Sequence, residues 1–193
     1  MRTILIIGAG KSTAYLVQYL LQKSEVEQLR IILADKNSAY AEKLINQHPN
    51  GQAIAFDVFD KQQREKEIKK ADIVVSMLPA RFHIEVAKDC LRLSKNMVTA
   101  SYVSNEMQAL HKDAEAKGLL FLNEMGVDPG IDHMSAMAVI DRIKASGGEM
   151  LLFESFTGGL VAPESDDNLW NYKFTWNPRN VVTAGQGGAA KFL

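Results

Sequence analysis

The chain predicts an α/β fold in which a parallel β-sheet is covered by helices on both faces. Short apolar runs of about four to six residues alternate with longer segments of helical period through the first two thirds of the 193 residues. The runs are apolar at successive positions rather than alternate ones, as strands buried on both faces require. Polar candidates follow the carboxyl end of one run after another, the place where open parallel sheets bind ligands.

Ile4-Leu5-Ile6-Ile7 is the first strand, and Gly8-Ala9-Gly10 turns it into a helix from about Ser12 to Leu21, with apolar residues at Tyr15, Leu16, Tyr19 and Leu20. Ile31 to Ala34 is the second strand, ending at Asp35, and Ala39 to Gln47 the second helix. Ala53 to Phe56 is the third strand, ending at Asp57; the charged segment Lys61 to Lys70 reads as a solvated helix. Ile73 to Leu78 is a fourth strand stopped by Pro79, followed by a helix over His83 to Leu93. Met97 to Ala100 is the fifth strand, Asn105 to Lys117 a helix, and Leu119 to Leu122 the sixth strand. Six such units in order predict a doubly wound sheet of the Rossmann type.

After Pro129 the texture changes. Asp132 to Ala145 reads as one helix, Met150 to Thr157 as a strand and Gly158 to Ser165, through Leu160, as a loop. The tail carries Trp170, Tyr172, Phe174 and Trp176, then Gly185, Gly187 and Gly188. The reading divides the chain into a doubly wound domain, residues 1–127, and the start of a second, α+β domain for substrate or dimerisation, residues 128–193. The second part is short for an independent core, so the chain is expected to stop partway through that domain.

Composition narrows the class of partner. Hydrophobic residues are 47% and charged residues 23%, as in ordinary soluble globular proteins. The net charge of −1, with acids and bases interspersed, gives no reason to expect nucleic acid or an anionic membrane and favours a small organic ligand. Cys90 is the one cysteine; within the pattern Val86 to Leu91 it reads as a buried helix residue rather than a reactive thiol, and no disulfide is expected. The first apolar run is too short for a signal peptide and no run of membrane-spanning length follows, so the cytoplasm is the expected location.

Gly8-Ala9-Gly10-Lys11-Ser12-Thr13 matches the first two glycines of the dinucleotide-binding turn, with Thr13 at the third position. The first glycine allows the sharp turn and the second lets phosphates approach the backbone, while the helix start supplies free N–H groups. A P-loop is rejected because the glycine it needs falls on Leu5, inside the strand. Asp35 lies roughly 25 residues beyond Gly10, where an acid pairs with the adenosine ribose 2′-hydroxyl, so NAD is favoured, with Lys36 leaving room for NADP. Asp57 and Val58 follow the third strand and read equally as adenine neighbours or a surface turn. Leu78, before Pro79 and Ala80, falls near the nicotinamide ribose. His83, opening a helix, reads as a surface or cap residue ahead of an acid–base catalyst. Ser101 and Tyr102 follow the fifth strand, and the polar hinge Glu124 to His133 follows the sixth. Asp128, Asp132 and His133 are conceivable metal ligands, but no further ligand cluster accompanies them and no metal is expected.

The segments Leu78-Pro79 with Phe82-His83, Thr99 to Ser104, Asn123 to His133 and Gly158 to Ser165, continuing through Asn168 and Tyr172 to Trp176, together resemble saccharopine dehydrogenase of the glutamate-forming type. The resemblance spans essentially the whole chain, and its Asp-Pro-Gly-Ile-Asp-His and Gly-Gly-Leu…Ala-Pro-Glu-Ser blocks are specific. It implies an NAD(P)-dependent oxidoreductase that cleaves the C–N bond of saccharopine to glutamate and aminoadipate semialdehyde, or forms it. It also implies that Ser101 and Tyr102 contact the substrate, that Asp128 lies beside it, with Tyr102 and Asp128 the catalytic candidates, and that Val127, Asp128 and Pro129 line the cofactor. Relatives can carry a cysteine where this chain has Thr157, so no thiol role carries over; they are also much longer, so this chain alone is expected to lack competent catalysis. Another secondary amine, such as a carboxyalkyl polyamine, is the nearest alternative; a non-catalytic dinucleotide sensor, or a structural remnant with Trp170 to Trp176 as a homodimer surface, are the others.

Overall fold

The computed structural model describes residues 1–156, 158–159 and 161–173. Thr157, Leu160, Phe174, Thr175, Trp176, Gly185, Gly187 and Gly188, which entered the sequence reading, lie outside them. The described chain forms two compact units, Met1–Glu149 and Met150–Leu193.

Six parallel strands make the sheet of the first unit: β1 (Arg2–Ile7), β2 (Leu29–Asp35), β3 (Gly51–Ala55), β4 (Ile73–Ser76), β5 (Asn96–Thr99) and β6 (Phe121–Leu122), in the order β3-β2-β1-β4-β5-β6. This is the doubly wound order, with the chain reversing direction across the sheet between β1 and β4. The α-helices are α1 (Thr13–Lys23), α2 (Ser38–Ile45), α3 (Lys61–Lys70), α4 (His83–Arg92), α5 (Asn105–Ala109), α6 (His111–Ala116) and α7 (Ile131–Ala145).

Strand alternation separates β1 into two cores. Leu5 and Ile7 join Ile32, Val74, Ile68, Val86, Ala87 and Cys90 on the face covered by α3 and α4. Ile4 and Ile6 join Ile31, Leu33, Val17, Leu21, Ala41 and Ile45 on the face covered by α1 and α2. Both faces are covered, so no position from Ile4 to Ile7 tolerates a polar group without stranding it from water. Cys90 is fully buried, and desolvation pushes its thiol up to about 12.

Three expectations about elements are corrected. Helix α1 buries Thr13, Val17 and Leu21, whereas Tyr15 and Tyr19 are exposed; the i, i+4 stripe through Thr13 faces the sheet, and the tyrosines lie nearly opposite it. Helix α3 is not simply solvated. Arg64, Glu67 and Ile68 are buried, and Arg64 Nε donates to Asp89 Oδ2 at 2.5 Å while its Nη1 donates to the Val58 carbonyl. Arg92 Nη2 reaches the other oxygen, Asp89 Oδ1, at 2.9 Å, so one buried carboxylate fastens α3 to α4. Met150 to Phe156, expected as a strand, pairs with no strand among the described residues, and Leu151, Leu152 and Phe156 are exposed. A strand is defined by its neighbour's hydrogen bonds, which local sequence cannot supply.

In the second unit Pro163–Ser165 form one tight helical turn, Lys173 pairs with Asp167 at 2.8 Å, and Asn168 Oδ1 accepts the Trp170 N–H at 3.0 Å. No helix among the described residues is long and apolar enough to cross a membrane.

Removing one partner of a buried ion pair leaves the other charge uncompensated. Asp89→Ala is therefore expected to lower stability in urea unfolding by about 3 kcal/mol, and Arg64→Met/Asp89→Leu to recover much of it. Equal losses in the single and double variants would show that the pair does not hold the two helices.

Candidate functional site

The carboxyl ends of β1, β2, β4, β5 and β6 meet along one edge of the sheet, and the polar candidates gather there. Gly8 takes φ +106°, and a Cβ placed on it would sit 2.9 Å from the Met77 carbonyl oxygen at the end of β4. Only glycine lets the turn pass that close to the neighbouring strand. A Cβ at Gly10 would meet nothing within 4 Å, so this side of the loop is open. Thr13, at the third motif position, is buried and donates from Oγ1 to the Gly8 carbonyl at 3.0 Å. The hydroxyl ties the helix start to the turn, which explains how a threonine fits where the motif has glycine. Helix α1 opens without a side-chain cap from Ser12, and Lys11 and Ser12 are exposed. An uncapped helix start beside an open glycine is a fit for a diphosphate.

Asp35 stands at the end of β2, but its carboxylate is directed inward. Oδ2 accepts the Ala9 N–H at 2.6 Å and Oδ1 accepts the Asn37 N–H at 2.7 Å. It latches the glycine turn to the next strand. Asp57 is engaged in a turn of its own: Oδ1 accepts the Phe59 N–H at 3.0 Å, and its N–H donates to Gln63 Oε1 at 2.8 Å. Val58 supplies its carbonyl to Arg64. Leu78 is partly buried beside Gly8.

His83 is the residue sequence reasoning underrated. It is 4% exposed, not a surface residue, and it is the first residue of α4 rather than its N-cap. Nδ1 lies 2.8 Å from Ser76 Oγ, Nε2 lies 2.8 Å from Ser101 Oγ, and Thr99 Oγ1 is 3.3 Å from Nε2. Burial lowers its pKa to about 4, so the ring is neutral at physiological pH. The sequence alone carried no such signal: Ser76 and Thr99 prove to end β4 and β5, and their pairing in register puts two hydroxyls under the helix start.

Tyr102 and Asp128 are brought together, the phenol hydroxyl donating to Asp128 Oδ1 at 3.4 Å. Desolvation and then the nearby Asp128 charge raise the Tyr102 pKa, so the phenol keeps its proton. Asp128 is presented by a closed loop: Gly126 N–H donates to the Pro129 carbonyl at 2.9 Å, Ile131 N–H to the Gly126 carbonyl at 3.0 Å, and the Asp128–Pro129 peptide is cis. Gly130 has φ +147°, and a Cβ there would lie 2.2 Å from the Gly126 oxygen. Val127 is exposed and Pro129 buried. The Glu124 N–H donates to the Ser101 carbonyl at 3.0 Å, which docks this hinge against the end of β5. Asp132 Oδ1 accepts the Gly130 N–H at 3.0 Å and lies 2.8 Å from His133 Nδ1; this contact raises the histidine pKa and lowers that of the acid. One ligand atom each of Asp128, Asp132 and His133 lies within 4.8 Å of the others, a grouping that exposed acids commonly form without an ion.

A doubly wound sheet with an open glycine turn, an uncapped first helix and hydroxyl and carboxylate groups along the same edge defines a nicotinamide-dinucleotide-binding domain of the Rossmann type. The chain belongs to the saccharopine dehydrogenase family: residues 4–122 match the saccharopine dehydrogenase NADP binding domain, and residues 126–193 match the saccharopine dehydrogenase C-terminal domain. It is 37% identical to saccharopine dehydrogenase [NADP(+), L-glutamate-forming] of Schizosaccharomyces pombe over 98% of this chain and 41% of that protein. It is 38% identical to alpha-aminoadipic semialdehyde synthase of Arabidopsis thaliana over 96% of this chain and 19% of that protein. The apo saccharopine dehydrogenase (L-Glu forming) of Saccharomyces cerevisiae superposes with a TM-score of 0.82 at 33% identity, covering 94% of this chain and 40% of that one. The chain thus spans well under half the length of these relatives.

Burying a neutral histidine makes stability depend on pH. The unfolded chain holds a proton on His83 below about 6.5 and the folded chain only below about 4, so stability rises with pH between those values and is lost as pH falls through them. The loss attributable to His83 is expected to reach about 3 kcal/mol at the acid end. Urea unfolding of the parent and His83→Gln across this range checks it; equal slopes in the two proteins would refute the assignment.

Proposed function

We propose that this chain forms the cofactor domain and one wall of the substrate cleft of an NADP-dependent oxidoreductase acting on the secondary amine of saccharopine, giving glutamate and aminoadipate semialdehyde or the reverse. The observation that carries the reading is the Tyr102–Asp128 contact beside Ser101, on the same carboxyl edge of the sheet as the open glycine turn. The names of the relatives, which include both the dehydrogenase and the semialdehyde synthase, support the substrate.

In this reading Gly8, Gly10, Lys11, Ser12 and Thr13 hold the diphosphate, with Leu78, Val127, Asp128 and Pro129 along the nicotinamide end and Asp57 and Val58 toward the adenine. A bound nicotinamide would accept hydride from the carbon next to the substrate nitrogen, and water would split the resulting imine into the amino acid and the aldehyde, or the same steps would run in reverse. Asp128 stands where a carboxylate can hold the charge of the substrate amine and take its proton. Tyr102, protonated, orients Asp128 through its hydroxyl, and Ser101 binds a polar group of the amino-acid substrate. The division at residues 127 and 128 is part of the proposal; the two family matches support it, and the compact unit that extends to Glu149 adds α7 to the first part. A cytoplasmic location is also part of it, as is a homodimer, supported by the exposed Leu169 and Trp170.

NADP is preferred here to the NAD expected from sequence. That expectation needed the Asp35 charge to be directed at the ribose, and the carboxylate accepts two backbone N–H groups of its own chain instead. Lys36, exposed next to it, is then the charge within reach of a 2′-phosphate.

Fluorescence titration is expected to show NADPH binding at least about tenfold tighter than NADH, with Lys36→Ala losing most of the margin. Asp35→Ala is expected to weaken both cofactors by loosening the turn. Equal binding of the two by the parent would sink the NADP reading. In the intact protein Asp128→Ala is expected to slow saccharopine oxidation by well over about tenfold; an undiminished rate would remove Asp128 from the chemistry.

A further inference from the structure

The hydroxyls around His83 have too few acceptors for every proton arrangement to be equally good. Ser76 Oγ is fully buried and, among the described residues, has His83 Nδ1 as its side-chain hydrogen-bond partner. A buried hydroxyl whose hydrogen finds no acceptor carries a desolvation cost, so Ser76 must donate to Nδ1. Nδ1 is then unprotonated. The groups touching the ring are the hydroxyls of Ser76, Thr99 and Ser101, none of them charged, and burial keeps the ring neutral. A neutral imidazole carries one proton, here on Nε2. Nε2–H faces Ser101 Oγ at 2.8 Å; Thr99 Oγ1, also buried, accepts the Ser101 N–H at 3.3 Å and lies 3.5 Å from the same unprotonated Nδ1, to which it donates. Ser101 therefore accepts from the histidine and retains its own hydrogen. It is partly exposed just after β5, so a ligand at that edge can reach the hydroxyl.

We propose that His83 is a positioning residue: protonated on Nε2 and set by Ser76, it turns the Ser101 hydroxyl outward as a donor for a carboxylate of the ligand. The proposal rests on the reading above that Ser101 meets an amino-acid substrate. It also gives the edge a division of labour: a donor at Ser101 for a substrate carboxylate, and a carboxylate at Asp128 for the substrate amine.

Nitrogen NMR of the His83 ring in the unaltered protein reads the tautomer directly. Near pH 7 the expected result is a protonated Nε2 and an unprotonated Nδ1; a proton on Nδ1, or on both nitrogens, overturns the proposal. Titration with glutarate, a simple dicarboxylate, should shift the Nε2 signal in the parent and not in Ser101→Ala, and no shift in the parent also overturns it. In the intact protein Ser76→Ala should raise the KM for saccharopine about tenfold while changing kcat much less, because a ground-state contact is weakened. A loss confined to NADP+ affinity would place the hydroxyl on the cofactor instead and overturn the carboxylate assignment. Should the glutarate shift appear while saccharopine is not turned over, the substrate reading fails and the positioning role stands.

Discussion

The position of β1 constrains everything else in the first unit. It is hydrogen-bonded to a parallel neighbour on each side, and its two faces lie under different helix pairs. Parallel pairing points all the strands the same way, so each loop that leaves a strand leaves at one edge. Gly8, Asp35, Leu78, Ser101 and Glu124 are far apart in the chain and lie along one edge of the sheet for this reason. The chemistry of the edge is a product of topology before it is a property of any one residue.

Along that edge the protein uses polar side chains first on itself. Asp35 accepts two backbone N–H groups, Thr13 donates to Gly8, and His83 joins three hydroxyls. The first two of these contacts hold the glycine turn, where a Cβ at Gly10 would meet nothing within 4 Å. Asp128 is different. It stands on a loop closed by its own backbone bonds, exposed, with one phenol against it.

The strands and the glycine turn were legible because burial on both faces demands unbroken apolar runs, and because the turn sits directly after the first of them. The cluster from Glu124 to His133 was legible as a density of polar residues, but not as a partner for Tyr102, since their contact joins loops after two different strands. Position at a strand end likewise says which edge the Asp35 carboxylate occupies, not that it accepts the Ala9 and Asn37 N–H groups. Arg64 and His83 escaped because a charged or polar residue is read as solvated unless its partner is known. Their partners, Asp89 and Ser76, become evident only when helix packing and strand register are in hand. Of the four residues that set the phase of α1, Leu16 and Leu20 pack against the core and Tyr15 and Tyr19 do not, because the buried stripe runs through Thr13, Val17 and Leu21.

Cys90 has a consequence outside the chemistry of the edge. It is the sole thiol in the chain, sealed between α4 and the sheet, and held in its unreactive form by desolvation. An alkylating reagent attacks thiolate, so it can reach this sulfur only when the helix lifts away. The rate of labelling then reports how often that face breathes, and the fold carries its own clock for local opening.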